Sequence, residues 1–170
     1  MMMRSTTTLM IAASLLALGA CAKKPPKELP PAPVDTTGPV VPDTGTKAVV
    51  PGSQEDFVAT VSSDRIFFDT DSSDVDGPDQ ATLQSQAGWL SRYSEKRITI
   101  EGHCDERGTR EYNLALGERR ANATKNALAA LGVDAARITT ISYGKERPDA
   151  IGSDEEAYAK NRRAVTVTVQ

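Results

Sequence analysis

Residues 22–53 are dense in Pro, Gly, Thr and Val, and this break in composition decides what the rest of the chain can become. The runs Pro25-Pro26, Pro30-Pro31-Ala32-Pro33 and Pro51-Gly52-Ser53 follow neither a helical nor a strand period. Proline fixes φ and withholds an N–H, so such a stretch favours extended polyproline geometry of about 3.1 Å per residue. It reads as a disordered spacer with a reach on the order of 90 Å. The folded part is therefore confined to 54–170, enough for one domain.

What precedes the spacer has the layout of a secretory signal. Met1 to Arg4 is short and basic, an apolar run from Leu9 to Leu18 follows, and Gly19-Ala20 close it. A membrane-spanning helix needs about 20 apolar residues, so removal of residues 1–20 is expected. Leu18-Gly19-Ala20-Cys21 resembles the bacterial lipobox, which implies a lipidated Cys21 at the new amino terminus; the alternative is a stray Cys in an ordinary signal. Three acyl chains, at about 0.8 kcal/mol per buried methylene, exceed the two-signal requirement for stable anchoring. Ala22, where inner-membrane lipoproteins often carry Asp, points to the outer membrane. With Cys21 so used, only Cys104 remains, and the fold must rest on its core rather than on a disulfide. The formal charge of −3 gives no basic footprint, which sets nucleic acid aside as a partner.

Beyond the spacer, strand and helix signals alternate. Arg65-Ile66-Phe67-Phe68 reads as a strand ending in the polar turn that runs from Asp69 to Asp74. Pro78-Asp79 opens a helix to about Tyr93. Lys96 to Glu101 alternates as a half-buried strand, and a loop from Gly102 to about Arg110 leads into the longest helix, ending near Leu131 before Gly132. Ile138 to Tyr143, a short helix opened by Ser153-Asp154-Glu155-Glu156, and a strand from Ala164 to Val169 complete the pattern. The expectation is an α/β two-layer sandwich of order β-α-β-α-β-α-β with a mixed sheet.

The most informative stretch is Glu101-Gly102-His103-Cys104-Asp105-Glu106-Arg107-Gly108 with Tyr112 to Asn122 behind it. On a helix Asn113, Leu116, Gly117, Arg120 and Thr124 share one face, while Ala123, Ala127, Leu128 and Leu131 form a second stripe expected in the core. Gly117 costs about 1 kcal/mol relative to Ala in a helix, which suggests close approach by something. Asp105 lies near the helix start, where a carboxylate is favoured. A carboxylate and a guanidinium placed like Asp105 and Arg120 suit a zwitterion, one taking an ammonium and the other a carboxylate bidentately. The alternative is that the two simply pair with each other.

Gly102 to Thr109, Asn113 to Asn122, Ser142-Tyr143-Gly144-Lys145-Glu146 and Asn161-Arg162-Arg163 closely resemble the OmpA-like domain of the peptidoglycan-associated lipoproteins. The resemblance covers 54–170, with the lipobox and spacer matching as well. It implies non-covalent binding of the meso-diaminopimelate of the peptidoglycan stem peptide. Asp105 and Arg120 would hold the diaminopimelate termini, while Arg107, Asn113, Leu116 and the loop around Phe68 to Asp71, with Asp71 as its carboxylate, would shape the pocket. It further implies TolB and the Tol complex as partners, an outer-membrane protein anchored by lipid on the periplasmic face, a tether that maintains envelope integrity, and support of outer-membrane invagination during cell division. No cofactor is implied. Gly117, Thr124 and Cys104 depart from the family's usual Ser, Val, and Thr or Ala, and Phe68 equally fits a core role.

His103 beside Cys104 raises the possibility of a hydrolase. Neighbours on a strand point to opposite faces, whereas a Cys–His dyad needs both side chains within hydrogen-bond reach, and one His with one Cys falls short of a zinc set. The expectation is a binding protein rather than an enzyme, with His103 orienting the loop, Cys104 filling space, and Arg162 and Arg163 pairing with carboxylates or shaping the surface. Removing either Asp105 or Arg120 is expected to release the domain from the cell wall while leaving it folded.

Overall fold

The computed structural model describes residues 48–169. The signal at 1–20, Cys21 and most of the 21–53 spacer lie outside the described residues. The elements are α1 (Gln54–Thr60), β1 (Arg65–Phe67), α2 (Gly77–Arg92), β2 (Arg97–His103), α3 (Arg110–Ala130), a 3-10 turn (Ala135–Arg137), β3 (Ile138–Gly144), α4 (Glu155–Asn161) and β4 (Arg163–Val169). The strands form one mixed sheet in the order β1-β4-β2-β3, with β2 and β3 parallel and β4 antiparallel to both β1 and β2. This is the expected two-layer α/β sandwich, with one addition, α1.

Sequence reading missed α1 because seven residues with one buried apolar side chain, Phe57, give no period to detect. Its signals are local. Ser53 caps it by accepting from the Asp56 N–H, and Asp56 Oδ2 accepts from Gly52 N–H at 2.9 Å and from Trp89 Nε1 at 3.1 Å. The last residues of the proline-rich stretch thus belong to the fold. Phe57 meets Trp89 edge-on, 5.0 Å between ring centroids. At the same end, Gln54 Oε1 accepts from both the backbone N–H and the hydroxyl of Thr168, satisfying β4 beyond the three-residue β1.

The helices cover one face of the sheet. Leu83, Trp89, Leu90, Ile98, Ile100 and Leu128 are wholly buried between the layers. Buried Gln86 is matched at both ends, donating to Ser63 O and accepting from Thr166 Oγ1. On the other face Phe67 and Ile141 remain about half exposed. The predicted core stripe of α3 is offset: Ala121, Thr124 and Leu128 are buried, Ala123 and Ala127 only partly, and Leu131 is exposed. The helix ends one residue earlier than Leu131, which serves as its cap, and Gly132 follows with φ +94°, a conformation that favours glycine.

What positions the site is the contact of α3 with β2. A methyl group at Gly102 would overlap the backbone carbonyl of Gly117, and one at Gly117 would meet Ser142 Oγ and Gly102 O. The close approach inferred from Gly117 is therefore made by the sheet. It holds the next turn of α3, carrying Arg120, directly over the end of β2.

Candidate functional site

β2 ends at His103, and the chain then turns through Cys104 and Asp105 into a loop that closes at Thr109. Thr109 caps α3 by accepting from the Tyr112 N–H at 3.2 Å. Three side chains fix the loop. Lys145 donates to the carbonyls of Glu106 and Gly108. Buried Asn113 donates through Nδ2 to Arg107 O at 2.6 Å and Thr109 O at 3.0 Å. The Cys104 thiol donates to Asn113 O at 3.3 Å. Gly108 takes φ +82° at the bend.

Above this loop lies an open pocket of about 240 Å³ lined by Thr70, Asp71, Cys104, Asp105, Arg107, Gly108, Tyr112, Asn113, Leu116 and Arg120. Six of the seven expected residues of the domain line it. The seventh, Phe68, sits in the core, where its ring packs 5.2 Å from the Arg120 guanidinium carbon. Thr70 comes from the expected Phe68 to Asp71 loop, Cys104 is the expected filler, and Gly108 and Tyr112 are additions. Tyr112 donates its hydroxyl to the Asp71 carboxylate, so the two span the pocket mouth, with Asp71 held at φ +58°.

The two charged anchors do not pair with each other. Arg120 is 1% exposed, and its guanidinium donates to Ser72 O at 2.8 Å, His103 O at 2.9 Å and Asp69 O at 3.0 Å. No carboxylate among the described residues lies within ion-pair distance of it. Burial lowers its pKa from the ordinary guanidinium value. Because it ties the Asp69 to Ser72 turn to β2, Arg120 supports the fold as well as the pocket floor, so its removal is expected to cost stability as well as binding.

Asp105 is engaged by side chains instead. Arg107 grips it as a fork, Nη2 to Oδ2 at 2.6 Å and Nε to Oδ1 at 3.1 Å, and the Arg107 N–H also donates to Oδ1. Arg162 Nη1 lies 3.6 Å from Oδ2. Burial opposes the ionised form of Asp105, but Arg107's hydrogen bonds and the charges of Arg107 and Arg162 outweigh it and hold the carboxyl below the usual carboxylate range. Arg162 also pairs with Glu155 at 2.8 Å, as expected, whereas buried Arg163 donates to the carbonyls of Asn161 and Arg147.

His103 and Cys104 diverge. The Cys104 thiol faces α3 and is pushed up by burial, while the His103 ring lies 5.5 Å from that of Tyr143 and is pushed down to about 4, chiefly by burial and next by the Arg163 charge. A protonated thiol and a neutral imidazole on different sides do not make a nucleophile and its base.

Comparison with known proteins supplies the family of this fold. The OmpA family model matches residues 67–162, from the end of β1 to Arg162. The chain belongs to the OmpA family. Within it, the chain is 55% identical over 152 residues to the peptidoglycan-associated lipoprotein of Rhizobium meliloti, covering 89% of this chain and 81% of that one. It is 60% identical over 123 residues to that of Agrobacterium fabrum, covering 72% and 69% respectively. The crystal structure of the peptidoglycan-associated lipoprotein from Burkholderia pseudomallei superposes with a TM-score of 0.63 at 44% identity, over 67% of this chain and all of that one. The C-terminal domain of Helicobacter pylori MotB shares the fold alone, at 20% identity and a TM-score of 0.59 over 63% of this chain and 84% of that one. The family match spans every element that lines the pocket described above.

Proposed function

We propose that this domain binds the diaminopimelate of the peptidoglycan stem peptide without cleaving it, and that lipid on Cys21 makes it a tether between outer membrane and cell wall. The observation that carries this reading is the floor of the pocket. A buried guanidinium whose three hydrogen bonds all go to backbone carbonyls leaves its positive charge without a direct carboxylate partner, and the carboxylates of Asp105 and Asp71 stand beside it on the pocket wall. An amino acid terminus, with a carboxylate and an ammonium on one carbon, matches that array. The apolar wall of Leu116 suits the aliphatic chain between the two ends of diaminopimelate. A periplasmic location at the outer membrane, binding to TolB within the Tol complex, maintenance of envelope integrity and a part in drawing the outer membrane inward at division belong to the same proposal and rest on the family resemblance.

The test is co-sedimentation of the full chain with purified peptidoglycan. The wild-type chain is expected in the pellet, and Asp105→Asn is expected to weaken retention roughly ten to a hundred-fold, the loss of one charge-assisted contact of about 1.5–3 kcal/mol. Retention of Asp105→Asn at the wild-type level, with its fold intact by circular dichroism, sinks the assignment.

A further inference from the structure

We infer that Arg107 determines the specificity of the pocket by occupying Asp105 until a ligand that carries both an amine and a carboxylate exchanges with it. This rests on the diaminopimelate reading above and concerns how that site discriminates. Asp105 has about four lone-pair positions on two oxygens. In this structure Oδ1 accepts from Arg107 N and Nε, and Oδ2 accepts from Arg107 Nη2 with Arg162 Nη1 nearby. An incoming ammonium therefore meets a carboxylate already neutralised by a fork of the same charge.

One of the two guanidiniums is free to leave. The Arg162 side chain is 8% exposed and fixed at Nε by Phe68 O and at Nη2 by Glu155. The Arg107 side chain is 44% exposed, and its other holds are a 3.4 Å contact to Thr70 Oγ1 and the face of the Tyr158 ring, 4.5 Å from its guanidinium carbon. A ligand bearing only an amine swaps one cation for another on Asp105 and sends Arg107 to solvent, so the exchange yields little net attraction. A ligand with a carboxylate beside its amine sets that carboxylate at Arg120, where its remaining lone pairs give the released Arg107 guanidinium a new partner as well. Discrimination thus comes from the cost of displacing Arg107 for the wrong ligand as much as from contacts to the right one. Lysine and diaminopimelate differ at their side-chain ends by that carboxylate.

Titrating the full chain with two stem peptides, identical except for meso-diaminopimelate or lysine at the third position, tests this. The wild-type chain is expected to prefer the diaminopimelate peptide by at least about tenfold, the value of one charge-assisted contact. Arg107→Met is expected to reduce that preference to within about threefold, by binding the diaminopimelate peptide more weakly and the lysine peptide more tightly. Arg107→Lys, with the charge but not the fork, falls between them. Unchanged preference in Arg107→Met overturns the role of Arg107 and leaves the diaminopimelate site standing. Failure of the wild-type chain to bind either peptide overturns that site and this inference with it. A second readout needs no variant: the Arg107 Nε–H resonance of the wild-type chain is expected to move on saturation with the diaminopimelate peptide, and an unmoved resonance in the saturated complex counts against exchange.

Discussion

The two ends of β2 are built from opposite materials. Where the strand begins, Phe57, Trp89, Leu90 and Ile98 are packed with almost no exposed surface. Where it ends, the buried groups are His103, Asp105, Arg120, Arg162 and Arg163. Apolar burial stabilises without direction, at about 25 cal/mol per Å². Buried charges stabilise little on balance and demand partners. Three arginines and an aspartate gathered at that end are held by carbonyls and by one another, and the apolar end supplies stability that tolerates their burial.

The contrast is broken most severely at the apolar end. Trp89→Ala removes a wholly buried ring that touches Phe57 and Tyr93 and donates to Asp56. It is expected to cost about 3–5 kcal/mol, seen as a lower midpoint in urea denaturation. If that loss is below about 1 kcal/mol, the two ends do not divide labour in this way. Arg120→Ala is next, at about 2–4 kcal/mol, because three carbonyls each lose a charged donor at once. Unlike the tryptophan variant, it is expected to abolish peptide binding even under conditions where it remains folded, and calorimetry in that window separates the two effects.

The smallest effect sharpens the comparison by pH. His103 is buried with neither ring nitrogen hydrogen-bonded, and its pKa falls from 6.5 to about 4. A neutral histidine preferred by the fold stabilises fully above its unfolded pKa, and that contribution is lost as pH falls from about 6.5 towards 4, where the unfolded chain binds the extra proton. The loss across this window is expected to be about 1–3 kcal/mol. His103→Gln should flatten the stability profile there, and an unchanged slope in that variant would assign the acid sensitivity to other groups.

The apolar end was the more legible in the sequence, with an exception. α2, β2, β3 and β4 announce themselves by period and caps, within a residue or two at each boundary, because their burial is one-sided and repeated. α1 has one buried residue and was invisible, although the Ser53 cap sits in plain view behind a Pro-Gly turn. At the polar end the face of α3 carrying Asn113, Leu116, Gly117, Arg120 and Thr124 was readable from helical spacing, and all five are buried. What spacing does not encode is which partner each charge takes. Arg120 turns to carbonyls because the Asp69 to Ser72 turn folds back over α3, a contact across about 50 positions, whereas Asp105 is met by Arg107 two residues on in its own loop. Tyr112 is not legible for the same reason: only the returning turn brings Asp71 to its hydroxyl.

The placement of the chain entry relative to the pocket has a mechanical meaning. Gly52 packs against Tyr93 and Lys96 just before β2, and Asp105 follows its last residue. A pull between the start of the domain and a ligand in the pocket therefore runs along β2, a central strand hydrogen-bonded on both sides. Load in that direction is shared by the rungs of two ladders in shear, whereas a perpendicular load would open them one after another. The chain entry itself is held by Asp56 on Gly52 and by Gln54 on Thr168, so a lengthwise load is expected to test those contacts before it reaches the ladders.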